Sequence, residues 1–335
     1  MATLQQEKIQ LPKVIFGTSA LGNLYTALDE STKLAIVQEC ILHSPKPVVF
    51  DSAGKYGAGL ALESLGKSLK ALGVNPADVM ISNKLGWIRT ELKTEEPTFE
   101  PGVWKDLKND AVQNISYDGI MECFRQGNEL LGEYTPQMVS VHDPDEYLAV
   151  ASDEADAEKR YQDILDAYRA LADLKLNGQV KAVGVGSKDW KVIERIAKDV
   201  ELDWVMIANS MTIHSHPADL LAFMGAISKK GITVINSAVF NAGFLIGSDY
   251  YNYRLVDKDT DPGLFAWREK FFAICKKHDV KPAEACVKFG LSAPGVSTIA
   301  LNTSSAKRVK GNIEMSEVQI PDGFWTELKE EGLIA

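Results

Sequence analysis

The chain has few cysteines, no concentrated positive charge and no long apolar run. Its four cysteines, Cys40, Cys123, Cys275 and Cys286, lie scattered through 335 residues without C-x-x-C spacing. Each falls in a stretch that reads as helix, so they are expected as reduced core residues of a cytoplasmic protein. No uninterrupted apolar run approaches the ~18 residues of a membrane helix, and the amino terminus MATLQQEKIQLPK has no apolar leader core. A formal net charge of −10 without any Lys/Arg cluster speaks against nucleic acid or an acidic membrane as partner. A small-molecule partner is expected instead. No metal is expected either: His142-Asp143 has no H-E-x-x-H context, and His214-x-His216 lacks a recognisable third ligand. His214 and His216 read as loop or rim residues. Gly184 to Asp189, GVGSKD, ends in Asp where a dinucleotide-binding crossover needs its third glycine. No tyrosine has lysine at i+4, and there is no G-x-S-x-G elbow.

What is present is a regular alternation. Short apolar runs recur at Val14–Phe16, Val48–Phe50, Val79–Ser82, Met138–Val141, Ala182–Val185, Trp204–Ala208, Thr233–Ile235 and Val296–Ala300. Between most of them lie segments with helical apolar spacing, such as Leu62-Leu65-Leu69-Leu72. Eight strands apolar enough to be buried on both faces predict an α/β (β/α)8 TIM barrel, a single domain without linker-like composition. The connections Trp87–Tyr117, Asp143–Glu158 and Asn236–Gly263 are long. They follow strands, so they belong on the carboxyl-terminal face and are candidate covers for substrate and cofactor.

At the ends of the second, third and fourth strands stand Asp51, Lys84 and His142, with Tyr56 on the loop after the second. A phenol titrating near 10 is a poor base at neutral pH unless a neighbour favours its phenolate. An ammonium about 4 Å away, at an effective dielectric of ~20, contributes roughly 4 kcal/mol, or about three pKa units before desolvation. Lys84 is therefore expected to draw Tyr56 towards its working range, Asp51 to hold Lys84, and His142 to donate to a substrate oxygen. Near the end, Thr303, Ser304 and Ser305 lead into a helix with Lys307 and Arg308. This start reads as an ordinary cap or as a phosphate site.

These residues resemble the aldo-keto reductase family over essentially the whole chain. The likeness rests on Gly17 to Gly22, on Asp51 to Gly59 (DSAGKYGAG) with Leu65-Gly66, on Ser82-Asn83-Lys84, and on His142. Ser116 to Met121, Val141 to Asp145, Ala167 to Leu171 and Val183 to Gly186 resemble the D-threo-aldose 1-dehydrogenase branch, which includes L-fucose, L-galactose and D-arabinose dehydrogenases. The resemblance implies an NAD(P)-dependent oxidation of an aldose at C1, with Asp51, Tyr56, Lys84 and His142 as catalytic tetrad. It implies Ser19, Trp87 and His142 at the substrate. It places Asp51 and Ser187 near the ribose or carboxamide, Asn236, Ser237 and Phe240 near the pyrophosphate, and Thr303, Arg308 and Asn312 near the adenosine. Met206 or Ile207 stands where many relatives have Gln and Asn236 where many stack a Tyr, departures that concern the seating of the nicotinamide. Asn302 stands where NADP-preferring relatives carry Lys and Gly311 at a common acidic position, while Arg308 remains, so the implied cofactor, NAD or NADP, leans slightly to NAD. The alternatives are a general carbonyl or pyridoxal reductase and a non-catalytic nucleotide-sensing subunit.

Overall fold

The computed structural model describes residues 9–335. Most of the segment in which no leader was read, residues 1–8, lies outside the described residues. Among the described residues the barrel strands are β1 (Val14–Gly17), β2 (Val48–Ala53), β3 (Val79–Leu85), β4 (Met138–His142), β5 (Ala182–Ser187), β6 (Trp204–Ala208), β7 (Thr233–Ser237) and β8 (Val296–Leu301). All neighbours are parallel, and β8 pairs with β1, so the sheet closes. This is the expected (β/α)8 barrel.

The pleat separates two cores. Ile15, Val49, Met138, Trp204, Met206 and Ile235 fill the barrel. The alternate residues, among them Val48, Phe50, Val139, Val183, Val205 and Val234, meet the surrounding helices. Trp204 is wholly buried, and Gly184 of the neighbouring strand makes room for it: a Cβ at Gly184 would lie 2.1 Å from an indole carbon. Gly184→Ala is expected to lower unfolding free energy by about 1–3 kcal/mol through overpacking. A urea denaturation midpoint indistinguishable from the parent's would contradict this.

Most observed strands run further than the apolar runs suggested. β2 continues through Asp51 to Ala53, β3 through Lys84, β4 to His142, and β7 to Ser237. Polarity marked the ends too early, because the inward row turns polar towards the mouth while the hydrogen-bonded ladder continues.

Two helix starts are closed by side-chain caps. Asp29 caps the helix Glu30–His43 through Thr32 N, and Ser116 caps the helix Tyr117–Leu131 through Gly119 N. The four cysteines lie in helices, buried and unpaired. Among the described residues no helix is long and apolar enough to cross a membrane.

The long connections are structured. Trp87–Glu91 and Asn109–Gln113 form an antiparallel hairpin, Pro144–Ala149 is a short helix, and Tyr250–Tyr251 pairs with Arg254–Leu255. All three stand over the carboxyl ends of the barrel strands.

Candidate active site

Three of the four expected catalytic residues occupy the inward row at the barrel mouth, and the fourth reaches back over it. Lys84 Nζ hydrogen-bonds Asp51 Oδ2 and lies 3.2 Å from Tyr56 Oη. The His142 ring meets the Tyr56 ring edge-on, with centroids 5.4 Å apart. Asp51, Lys84 and His142 are buried.

Tyr56 owes its position to backbone contact between two loops. Gly57 has φ +61, and a Cβ there would lie 2.2 Å from Gly22 O. A Cβ on Gly22 would in turn lie 2.8 Å from the Tyr56 carbonyl carbon. Side chains at either position would push the loops apart, which is why the phenol is flanked by glycine.

The electrostatics correct one expectation. Burial raises the Tyr56 phenol above its ordinary value; Lys84 opposes this, while Asp51 and Asp143 add to the rise. The ammonium is paired with Asp51, so it cannot lower the phenol's pKa as a lone charge would. Lys84 itself is raised: desolvation works against its charge, but Asp51 and Tyr56 more than compensate. His142 is held well below its ordinary value by burial, Lys55 and Lys84. It is therefore neutral at neutral pH and can donate from one ring nitrogen.

Around this centre lies a ring of charged and aromatic side chains, among which His142 and Trp87 are the ones expected at the substrate. Lys55 Nζ, 5% exposed, sits 2.9 Å from Glu100 Oε1, 3.1 Å from Glu146 Oε2 and 3.5 Å from Asp143 Oδ2. Asp143 Oδ2 is 3.4 Å from His142 Nε2, and Glu146 also pairs with Lys188. Aromatic rings wall the mouth. Trp104 lies 5.8 Å from the Tyr56 ring and donates to Glu100 Oε2 at 2.7 Å. Trp87 packs 5.7 Å from Phe99, beneath Lys55. The tyrosines of the seventh loop divide: Tyr251 packs on Phe244 and His214, whereas Tyr253 lies under Lys188. Lys55 lay inside the quoted DSAGKYGAG segment and Asp143 beside His142. Their adjacency to tetrad residues was the available signal.

The residues expected at the cofactor divide as well. Ser237 is on the inward row, and its hydroxyl is 3.4 Å from Ile207 O. Ser187 Oγ donates to Asp189 O at 3.0 Å, and Phe240 is half-buried between core clusters. Asn236 is on the opposite face of its strand from Ser237: its amide donates to Met211 O at 3.0 Å and Gly290 O at 3.3 Å, in the helix layer. The structure does not turn it to the mouth, because the two-residue pleat assigns it the same face as Val234. Thr303 Oγ1 accepts from Ser305 N at 3.1 Å, and no side-chain cap closes the helix Ala306–Glu314, on which Arg308 is exposed and Asn312 half-buried. Asn302 Nδ2 donates to Ser19 Oγ at 2.6 Å, which ties Ser19 to the loop after β8 rather than to the tetrad. His214 and His216 lie in the loop after β6, as expected, and no group of three or more potential metal ligands occurs among the described residues.

One buried acceptor beside the mouth suits the amide of a nicotinamide. Asn209, at the end of β6, is buried, has φ +59 and carries an Oδ1 with no partner. An amide donor would satisfy that acceptor.

A barrel with a buried Asp–Lys–Tyr chain and a neutral histidine at its carboxyl-terminal mouth gathers the groups that a proton transfer needs. The sequence profile of the Aldo/keto reductase family matches residues 13–331, and the chain belongs to that family, whose members use NAD(P)H. It is 27% identical to a pyridoxal 4-dehydrogenase of Microbacterium luteolum over 95% of this chain and 93% of the relative. It is 26% identical to a D-threo-aldose 1-dehydrogenase of a Pseudomonas species over 97% and 95%. In fold it is similar to an aldo-keto reductase of Bacillus halodurans in its holo form, with TM-score 0.68, 19% identity, and coverage of 99% of this chain and 97% of that one.

Proposed function

We propose that the protein oxidises an unphosphorylated aldose at C1 to the aldonolactone, with Tyr56 as general base. The observation that carries this reading is the Tyr56 hydroxyl 3.2 Å from the Lys84 ammonium, beside a neutral His142. Bound nicotinamide would supply the hydride acceptor. The C1 hydroxyl loses its proton to Tyr56 while His142 donates a hydrogen bond to the same oxygen. Asp51 keeps Lys84 charged and aimed at the phenol. In the reverse direction Tyr56 is the acid.

The mouth supports a neutral, hydroxylated substrate. Its cations Lys55, Lys84 and Lys188 are all engaged by carboxylates. A phosphate would find no free cation among them. The aromatic walls suit a sugar's apolar face. The relationship to a D-threo-aldose 1-dehydrogenase agrees with this reading. We infer NAD rather than NADP, since Asn302 offers no charge for a 2′-phosphate and spends its amide on Ser19.

A second reading, oxidation of pyridoxal, is favoured by the Microbacterium relative and by the same aromatic walls. A panel of L-fucose, L-galactose, D-arabinose, pyridoxal and sugar phosphates, each with NAD and NADP, separates the two. Free aldoses are expected to give the highest kcat/KM. Phosphorylated counterparts should fall at least about 100-fold lower, because an unpaired dianion loses several kcal/mol on desolvation. Pyridoxal turnover with silence on all aldoses would replace the first reading by the second.

A further inference from the structure

The carboxylate beside His142 has no part in the proton path just described. Asp143 follows the end of β4 in the left-handed region, φ +46, which a non-glycine residue adopts at a cost. Pro144 then starts the short helix. The conformation turns the Asp143 carboxylate back towards the mouth, with Oδ2 3.4 Å from His142 Nε2 and 3.5 Å from Lys55 Nζ. The side chain remains 23% exposed, so a ligand at the mouth can reach it. Oδ1 has no hydrogen-bond partner among the described residues and is not closed off from solvent.

Lys55 fixes this arrangement from behind. Its ammonium is buried against Glu100, Glu146 and Asp143, which come from the loops after β3 and β4. Lys55 also precedes Tyr56 in the chain, so one buried cation ties the phenol's loop to the loop that carries Asp143. Removing Asp143 leaves Lys55 paired with the other two carboxylates.

We propose that Asp143 determines specificity by accepting a hydrogen bond from the substrate hydroxyl on the carbon next to the reacting one. The reacting oxygen lies between Tyr56 and His142, and a vicinal hydroxyl on the His142 side meets Asp143. A carboxylate accepts from a hydroxyl more strongly than a neutral group does, about 1.5–3 kcal/mol, which converts to roughly 10- to 100-fold in kcat/KM. Substrates lacking that hydroxyl lose this factor. For oxidation the inference rests on the aldose reading, so the test also uses carbonyl reduction, where it does not.

The experiment compares kcat/KM of the full chain, Asp143→Asn and Asp143→Gly on two substrate pairs. One pair is an aldose and its 2-deoxy analogue, in oxidation; the other is an α-hydroxy aldehyde and the aldehyde lacking that hydroxyl, in reduction. Asn and Gly both tolerate the left-handed backbone, and cofactor affinity by fluorescence titration reports that the fold and nucleotide site are intact. The parent is expected to favour the hydroxylated member of each pair by roughly 10- to 100-fold. Asp143→Gly should collapse that ratio to near unity, whatever it does to the rate the two members share, with Asp143→Asn in between. A ratio that Asp143→Gly leaves unchanged, or a parent without preference, overturns the inference. Aldoses left unoxidised while the aldehydes are reduced would sink the aldose reading, and the reduction pair would still decide the role of Asp143.

Discussion

Tyr56→Phe is expected to lower kcat by about 10²- to 10⁴-fold, the span general acid–base catalysis contributes, with little change in stability or cofactor affinity. The substitution removes one oxygen, whose hydrogen-bond partner among the described residues is Lys84 Nζ. The ring remains to pack against Trp104 and His142. The pH dependence sharpens the expectation. Because burial first, and the carboxylates of Asp51 and Asp143 with it, raise the phenol against the opposing pull of Lys84, Tyr56 is protonated at neutral pH. Oxidation needs the deprotonated form, so kcat/KM for oxidation should climb about tenfold per pH unit through the neutral and alkaline range. Reduction, which uses the protonated form, should be flat there. Tyr56→Phe should abolish the climb; a variant that keeps both its rate and its alkaline rise would remove Tyr56 from the chemistry.

Lys84→Met is expected to damage both stability and rate, and the two losses should be separable. Lys84 and Asp51 are about 6% and 5% exposed and bonded to each other. Removing one partner of a buried pair leaves the other charge unmatched and costs about 3–5 kcal/mol. In Asp51→Asn/Lys84→Met the remaining side chain is neutral, so part of the stability should return. Catalysis should not return, since nothing then orients the Tyr56 proton. Urea unfolding and steady-state rates on the same three proteins read the two effects. A double variant that recovers activity along with stability would show that the pair acts only as a structural support.

The barrel was legible because a parallel strand buried on both faces leaves a short apolar run, and the Asp51–Tyr56–Lys84–His142 cluster because three of its members stand at the ends of such runs and the fourth on the loop after one of them. Strand ends were read short, since Asp51, Lys84 and His142 interrupt the apolarity without interrupting the ladder. Asn236 was placed at the cofactor on family likeness, but the pleat turns it to Met211 and Gly290. Two segments read as branch motifs have structural tasks: Ser116 caps a helix, and Gly184 clears the space for Trp204. What could not be read was contact across loops. Glu100 and Glu146 lie far apart in sequence and meet only because Lys55 gathers them, with Trp104 joined through Glu100 and Lys188 through Glu146, so the wall of the mouth stayed hidden while its floor did not. The direction of the Tyr56 shift was missed for the same reason, because the pairing of Lys84 with Asp51 and the burial of the phenol are properties of the folded mouth.

The central claim is that hydride leaves the anomeric carbon while Tyr56 takes the hydroxyl proton, and an aldose deuterated at C1 tests it most directly. Incubated with the enzyme and NAD or NADP, it should yield aldonolactone together with reduced nicotinamide carrying the deuterium, and Tyr56→Phe should suppress both products in parallel. Reduced nicotinamide without deuterium, or lactone formed equally well by Tyr56→Phe, would contradict the account.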